Sequence, residues 1–139
     1  QSGALGSSPV DAAAPGLVTC EGDPRAMTYV ANLAKDGARV RVRLIEADPA
    51  PIARGTNRWR VRFTDLADAP LADPVVEVRP FMPDHGHGTS IRPVVTPGPD
   101  GAYSIGPLYL FMPGLWQITF DVRSGTMHDT VVFGFCVPG

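Results

Sequence analysis

From Ala38 onward the chain alternates. Val40, Val42 and Leu44 are separated by Arg39, Arg41 and Arg43, the period of two required of a strand with one face buried and one in water. This predicts a strand over 38–47. Asn57 to Leu66 repeats the pattern, with Trp59, Val61 and Phe63 on one face and Arg58, Arg60 and Arg62 on the other. Further strands are predicted over 75–82, 90–96 and 102–110, the last two joined by the turn-rich PGPDG at 97–101. Trp116, Ile118, Phe120 and Val122 alternate in a sixth, and Thr130 to Val137 forms a seventh after the Ser124-Gly125 turn. Short strands at roughly ten-residue spacing with turns between them predict an all-β fold, an immunoglobulin-like antiparallel β-sandwich of about seven strands. Ahead of them, Asp23-Pro24 reads two ways. Proline at a first helical position and Gly37 as a stop allow a short helix toward Lys35, whereas Thr28, Tyr29 and Val30 favour extended chain.

Composition narrows the class. A chain of 139 residues is one domain's worth of core, and no apolar run approaches the roughly 20 residues of a membrane helix. The net charge of −2 argues against nucleic acid as a partner, because duplex binders carry a basic surplus to displace counterions. Fifteen Gly and fifteen Pro alternate with dense apolar segments and act as turn punctuation. The arginines at 39, 41, 43, 58, 60 and 62 read as the solvated face of two strands, partly balanced by Glu46, Asp65 and Glu77. A patch for an anionic partner is the alternative, which the mild overall acidity does not support.

Cys20 and Cys136 stand 116 positions apart, a separation that no zinc or redox motif uses. A disulfide is the expected pairing and implies an oxidising compartment; two buried free thiols are the alternative. Residues 1–19 read as a flexible leader and residues 20–139 as the single domain. QSGALGSSPVDAAAPG shows no signal peptide and resembles what remains after an export signal or a lipid-anchor cysteine is trimmed.

The chemistry concentrates in Met82-Pro83-Asp84-His85-Gly86-His87-Gly88, at the end of the third predicted strand. Two imidazoles one residue apart, separated and followed by glycine, can be aimed at one ion. Met82 adds a soft thioether, and Phe111-Met112-Pro113-Gly114 supplies a second Met-Pro pair in a later turn. If the four converge, His85, His87, Met82 and Met112 make a His2Met2 set suited to copper, particularly Cu(I). Strand parity predicts that they do: ends of strands three and five lie at the same end of an antiparallel sandwich, as does the 48–56 loop, while His128 falls at the other end. Each Met also reads as core filling, and each His as a loop residue bonded to a backbone carbonyl. Asp84 reads as an acceptor orienting an imidazole or as a turn starter, in preference to a hard ligand.

No catalytic set emerges. Thr89, Ser90, His87 and Asp84 are adjacent along one loop, which does not give the geometry of nucleophile, base and orienter that hydrolysis requires. The chain is expected not to be an enzyme.

The runs FMPDHGHGT, DGAYSIGPLYLFMPGLWQITFDV and VVFGFCV, within Gly37 to Val137, resemble the YtkA-like domain, an exported bacterial β-sandwich module related to FixH-type proteins. The resemblance implies an extracytoplasmic domain of the periplasm or cell envelope, often membrane-tethered, with a link through FixH-like relatives to copper supply for respiratory oxidases. Its motif residues map onto Met82, His85, His87, Met112 and Trp116, the last read as core packing. The ligand order differs from that of periplasmic copper chaperones that use His and Met on similar sandwiches. Two functions follow: a copper-binding domain serving a copper-accepting or envelope protein, or a metal-free structural or interaction module.

Overall fold

The computed structural model describes residues 20–139, so the expected leader at 1–19 lies outside the described residues. Nine strands follow in order: β1 (Leu33–Asp36), β2 (Val40–Asp48), β3 (Gly55–Asp65), β4 (Val75–Met82), β5 (His87–Gly88), β6 (Val94–Pro97), β7 (Tyr103–Leu110), β8 (Gly114–Ser124) and β9 (Met127–Val137). They form two antiparallel sheets in the orders β1-β2-β3-β7-β6 and β5-β4-β8-β9. The sandwich is the one the alternation predicts. Val40, Val42, Leu44, Trp59, Val61 and Phe63 of one sheet face Trp116, Ile118, Phe120, Val122, Val131 and Phe133 of the other, all buried. Trp59 stands at the centre, stacked on Phe120 at 6.2 Å and edge-on to Phe133 at 5.8 Å and Phe135 at 5.7 Å.

Two short strands were not predicted, and each sits at a sheet edge. β1 replaces the helix weighed over 23–35. The chain turns at Cys20–Ala26, through the N–H of Asp23 to Cys20 O and of Ala26 to Asp23 O, and turns again at Ala31-Asn32, where the Leu33 N–H donates to Val30 O, before Leu33 pairs with Leu44. β2 has an unpaired edge that this segment fills, so tertiary pairing decides between two balanced local preferences. β5 pairs His87 with Met82 and Gly88 with Phe81. The fourth predicted strand is shorter than expected, beginning at Val94 rather than Ser90, because Pro93 brings no N–H to a ladder.

The arginine rows are solvated as expected, but their partners differ. Glu46 pairs with Arg60 at 2.5 Å, whereas Asp36 and Asp68 take Arg41. Asp65 accepts instead from the N–H groups of Ala67 and Ala69, and Glu77, on the opposite sheet, pairs with Arg79 of its own strand and Arg92 of the β5–β6 connection.

Asp129 joins the two sheets at the β9 edge. Its carboxylate accepts from the backbone N–H of Arg39 at 2.7 Å, Val40 at 2.9 Å and Thr130 at 2.9 Å, and Gly37 leaves room for it by lacking a side chain. Partial burial pushes its pKa up, but the backbone donors outweigh that and hold it below the ordinary value of 3.8. Asp129→Ala leaves the Arg39 and Val40 donors without their acceptor and is expected to lower stability by about 1–3 kcal/mol in urea unfolding. The pH dependence carries the matching sign. Asp23, held at about 2 by Arg25, and Asp36 and Asp129, also depressed, stabilise the fold above the ordinary carboxylate value; that contribution is lost as pH falls from 3.8 toward 2. The urea midpoint should therefore be flat above about pH 5 and drop below it, less steeply in Asp129→Asn.

Candidate metal centre

Parity places the motif segments together. β4 ends at Met82, β8 begins at Gly114, and the two strands are paired up to Phe81 and Gln117. Gly55 pairs with Leu110, which brings the 49–54 loop to the same end. His128 lies at the opposite end, paired with Arg123 across the β8–β9 hairpin, and its Nε2 meets Asp121 Oδ1 at 2.5 Å.

Within the segment the chain folds into a tight turn. The N–H groups of His85 and Gly86 both donate to Met82 O, at 3.1 and 2.9 Å, and Gly86 takes a positive φ of 70°. The turn leaves the His85 imidazole exposed and its Nε2 near Gly114, the first residue of β8. Met82 Cε and His85 Nε2 consequently approach one point: a Cβ on Gly114 would lie 2.7 Å from the first and 4.0 Å from the second. Gly114 also has a φ of 134°, a backbone conformation open to little but glycine. Gly114→Ala is expected to cost about 1–3 kcal/mol from backbone strain alone and to displace the Met82 methyl, readable as a lower urea midpoint.

His87 is half-buried and positioned twice. Its Nδ1 lies 3.2 Å from Gly88 O, an acceptor, so the contact is a hydrogen bond when Nδ1 carries the proton, the neutral tautomer whose lone pair is on Nε2. Its ring stacks on Phe111 at 5.8 Å, and Phe111 in turn stacks on Tyr109 at 5.7 Å and meets Trp116 edge-on at 5.7 Å. The two imidazoles stand nearly perpendicular with centroids 5.6 Å apart. Trp116 is fully buried, as expected of a core residue, and its Nε1 donates to Met112 O at 2.9 Å, fixing the 111–114 turn. Met112 is half-buried on that turn, its side chain packed against the core.

Met82 Cε and His85 Nε2 thus border Gly114, His87 pairs with Met82 across β4–β5 and faces His85, and Met112 lies on the adjoining turn. Met82 is fully buried. Asp84 does not orient an imidazole: its carboxylate receives both ends of the Arg25 guanidinium at 3.0 Å. Among the described residues no three His, Cys, Asp or Glu side chains gather to hold a metal ion. Sequence reasoning missed Phe111 and Arg25. The doubled Phe-Met-Pro, at 81–83 and 111–113, was the available signal for the first. Cys20 and Cys136 are bonded, with Cα atoms 5.5 Å apart, which removes the free-thiol alternative.

Residues 35–121 of this chain match the YtkA-like family over more than half its length. The chain belongs to the YtkA-like family. No curated protein matches it. Among solved structures, this YtkA-like domain is similar to FetP of uropathogenic E. coli strain F11, isolated from recombinant expression in the periplasm. The TM-score is 0.53 at 10% identity, covering 80% of this chain and 96% of that one. A copper-bound variant of the same FetP gives a TM-score of 0.53 at 10% identity, covering 80% and 97%. A copper-bound variant of Campylobacter jejuni P19 gives 0.47 at 10% identity, covering 77% and 99%. At this identity the likeness to FetP establishes a shared sandwich fold. Among the described residues of the YtkA-like domain, no helix is long and apolar enough to cross a membrane.

Proposed function

We propose that this YtkA-like domain is an extracytoplasmic, non-enzymatic copper-binding domain that holds Cu(I) between Met82, His85 and His87, with Met112 as the donor from the neighbouring turn. The observation that carries the reading is the approach of Met82 Cε and His85 Nε2 to one point over Gly114. Two imidazoles and soft thioethers are a donor set that favours Cu(I) over zinc, which prefers thiolate or carboxylate alongside imidazole. The bond from His87 Nδ1 to Gly88 O supports it further, since a ligating imidazole characteristically donates its other N–H to an oxygen. The disulfide agrees with an oxidising compartment, periplasm or cell envelope, and the copper-bound FetP of similar fold agrees with the metal. Delivery to a copper-accepting envelope protein and a lipid anchor upstream extend the same reading.

A metal-free interaction module is the second reading, and a specific observation favours it. Met82 is 0% exposed and packs as a member of the core, so a metal reaches its sulfur only if the His85 turn or the Met82 rotamer shifts. An anaerobic competition titration against a chromophoric Cu(I) chelator separates the two. One tight equivalent per chain is expected from the copper-binding domain, and no retention against the chelator from the module.

A further inference from the structure

The outer face of the β8–β9 half carries an element that neither the sandwich nor the copper reading uses. From Cys20 to Met27 the chain crosses that face as a strap. Cys20 is bonded to Cys136, and Leu115, the partner of Cys136 across the sheet, is buried although it points away from the core. Further along, the Arg25 carbonyl rests on Gly134, where any Cβ would collide with it, and the Met27 N–H donates to Gly134 O at 2.7 Å. From this anchored backbone the Arg25 side chain reaches the metal-site turn. Its Nη1 and Nη2 each donate to one oxygen of Asp84 at 3.0 Å, while Nε and Nη2 hold Asp23 at 3.0 and 2.8 Å. The Arg25 guanidinium therefore lies in a planar fork between two carboxylates, a geometry that lysine does not reproduce. Asp84 immediately precedes His85, and both of the turn's amide bonds to Met82 O close around it.

We propose that Arg25 is a positioning residue that ties the His85 turn to the Cys20–Cys136 disulfide, so that the redox state of the disulfide sets the order of the turn. Reduction by an external dithiol takes two electrons and two protons, gives two thiols here and leaves the dithiol as its own disulfide. The Cys20 end of the strap is then free of Cys136, and Arg25 holds Asp84 from a segment fixed only at its Met27 end. The consequence for copper, stronger retention in the oxidised form, rests on the function proposed above; the mechanical link does not.

The test is amide hydrogen exchange on the metal-free full chain, with Cu(I) competition as a separate arm. In the oxidised protein, Arg25→Ala is expected to speed exchange at His85 and Gly86 by about two- to fivefold, the scale of a well-formed surface ion pair, with the Phe120 and Val131 amides unchanged. Arg25→Lys, which keeps the charge and loses the fork, is expected to fall between the two. Dithiol treatment of the parent should give the same local increase, and treatment of Arg25→Ala should add nothing at these two amides. Unchanged exchange at His85 and Gly86 in Arg25→Ala overturns the proposal, as does an equal dithiol effect in parent and variant. Reduction also lowers global stability, so exchange at Phe120 and Val131 sets the global background, and an increase at His85 and Gly86 that merely matches that background overturns the redox link. In the copper arm, oxidised Arg25→Ala should bind Cu(I) about two- to fivefold more weakly. A parent that binds no Cu(I) sinks the copper reading while the exchange result still decides the strap.

Discussion

A His85→Ala/His87→Ala variant is expected to lose tight Cu(I) binding, by roughly two orders of magnitude or more, while keeping its fold. Loss of a group that merely orients a ligand already costs about 10- to 100-fold in metal affinity, and here both nitrogen donors go at once, leaving thioethers alone. Stability should barely follow. His85 is exposed, and His87 contributes one hydrogen bond to Gly88 O and one aromatic stack on Phe111, so the summed loss stays near about 1–2 kcal/mol. The pairing of a large binding effect with a small stability effect distinguishes ligands from packing residues. Equal affinity in parent and variant, measured by anaerobic competition against a chromophoric chelator, would contradict the site.

The second large effect concerns the disulfide. A Cys20→Ser/Cys136→Ser variant is expected to lose about 4–5 kcal/mol of stability, because the bond closes a loop spanning 116 positions and removes that entropy from the unfolded chain. This is a large share of the about 5–15 kcal/mol on which a domain of this kind depends, so the variant should unfold at a much lower urea concentration. The Cys20 end of the strap is expected to loosen as well, adding to the loss. A urea midpoint unchanged from the parent would show that neither the loop entropy nor the strap contributes to stability.

How much of this was legible in the sequence depends on the length over which a pattern repeats. β2, β3 and β8 run for nine to eleven residues and alternate over most of that length, enough to assign their faces from runs such as Val40 to Leu44, Trp59 to Phe63 and Trp116 to Val122. β1, four residues of LAKD, and β5, only His87 and Gly88, are too short to display any period; they exist because neighbouring edges offer unpaired backbone groups. The metal-site segment was legible for a different reason. Strand parity is a counting argument, and it brought Met82, His85 and His87 to the end that also holds Met112, with His128 at the other. Parity does not say which way a side chain turns, and so it did not foresee that Met82 would be wholly enclosed.

The Arg25 contact was not legible at all. It joins positions 59 apart through a segment whose path is set by Cys136 and by the bare backbone of Gly134, neither of which signals Asp84 as a partner. Asp84 carried two expectations, a link to an imidazole or the start of a turn, because proximity along the chain was the only information available; it does lie in the 83–86 turn, but its carboxylate goes to Arg25. Phe111 shows the intermediate case: the repeated Phe-Met-Pro drew attention to the methionines, while the ring before each one went unread, and one of those rings holds His87.

Copper bound at the sandwich end, as proposed, sits between imidazole and thioether. Copper K-edge X-ray absorption of the Cu(I)-loaded chain tests it most directly, beside Met82→Leu, a change of similar volume that leaves the core filled. The predicted result is a first shell of imidazole nitrogen and sulfur in the parent, with the sulfur scattering diminished and the imidazole retained in Met82→Leu. A first shell of nitrogen and oxygen alone, identical in both proteins, would contradict it.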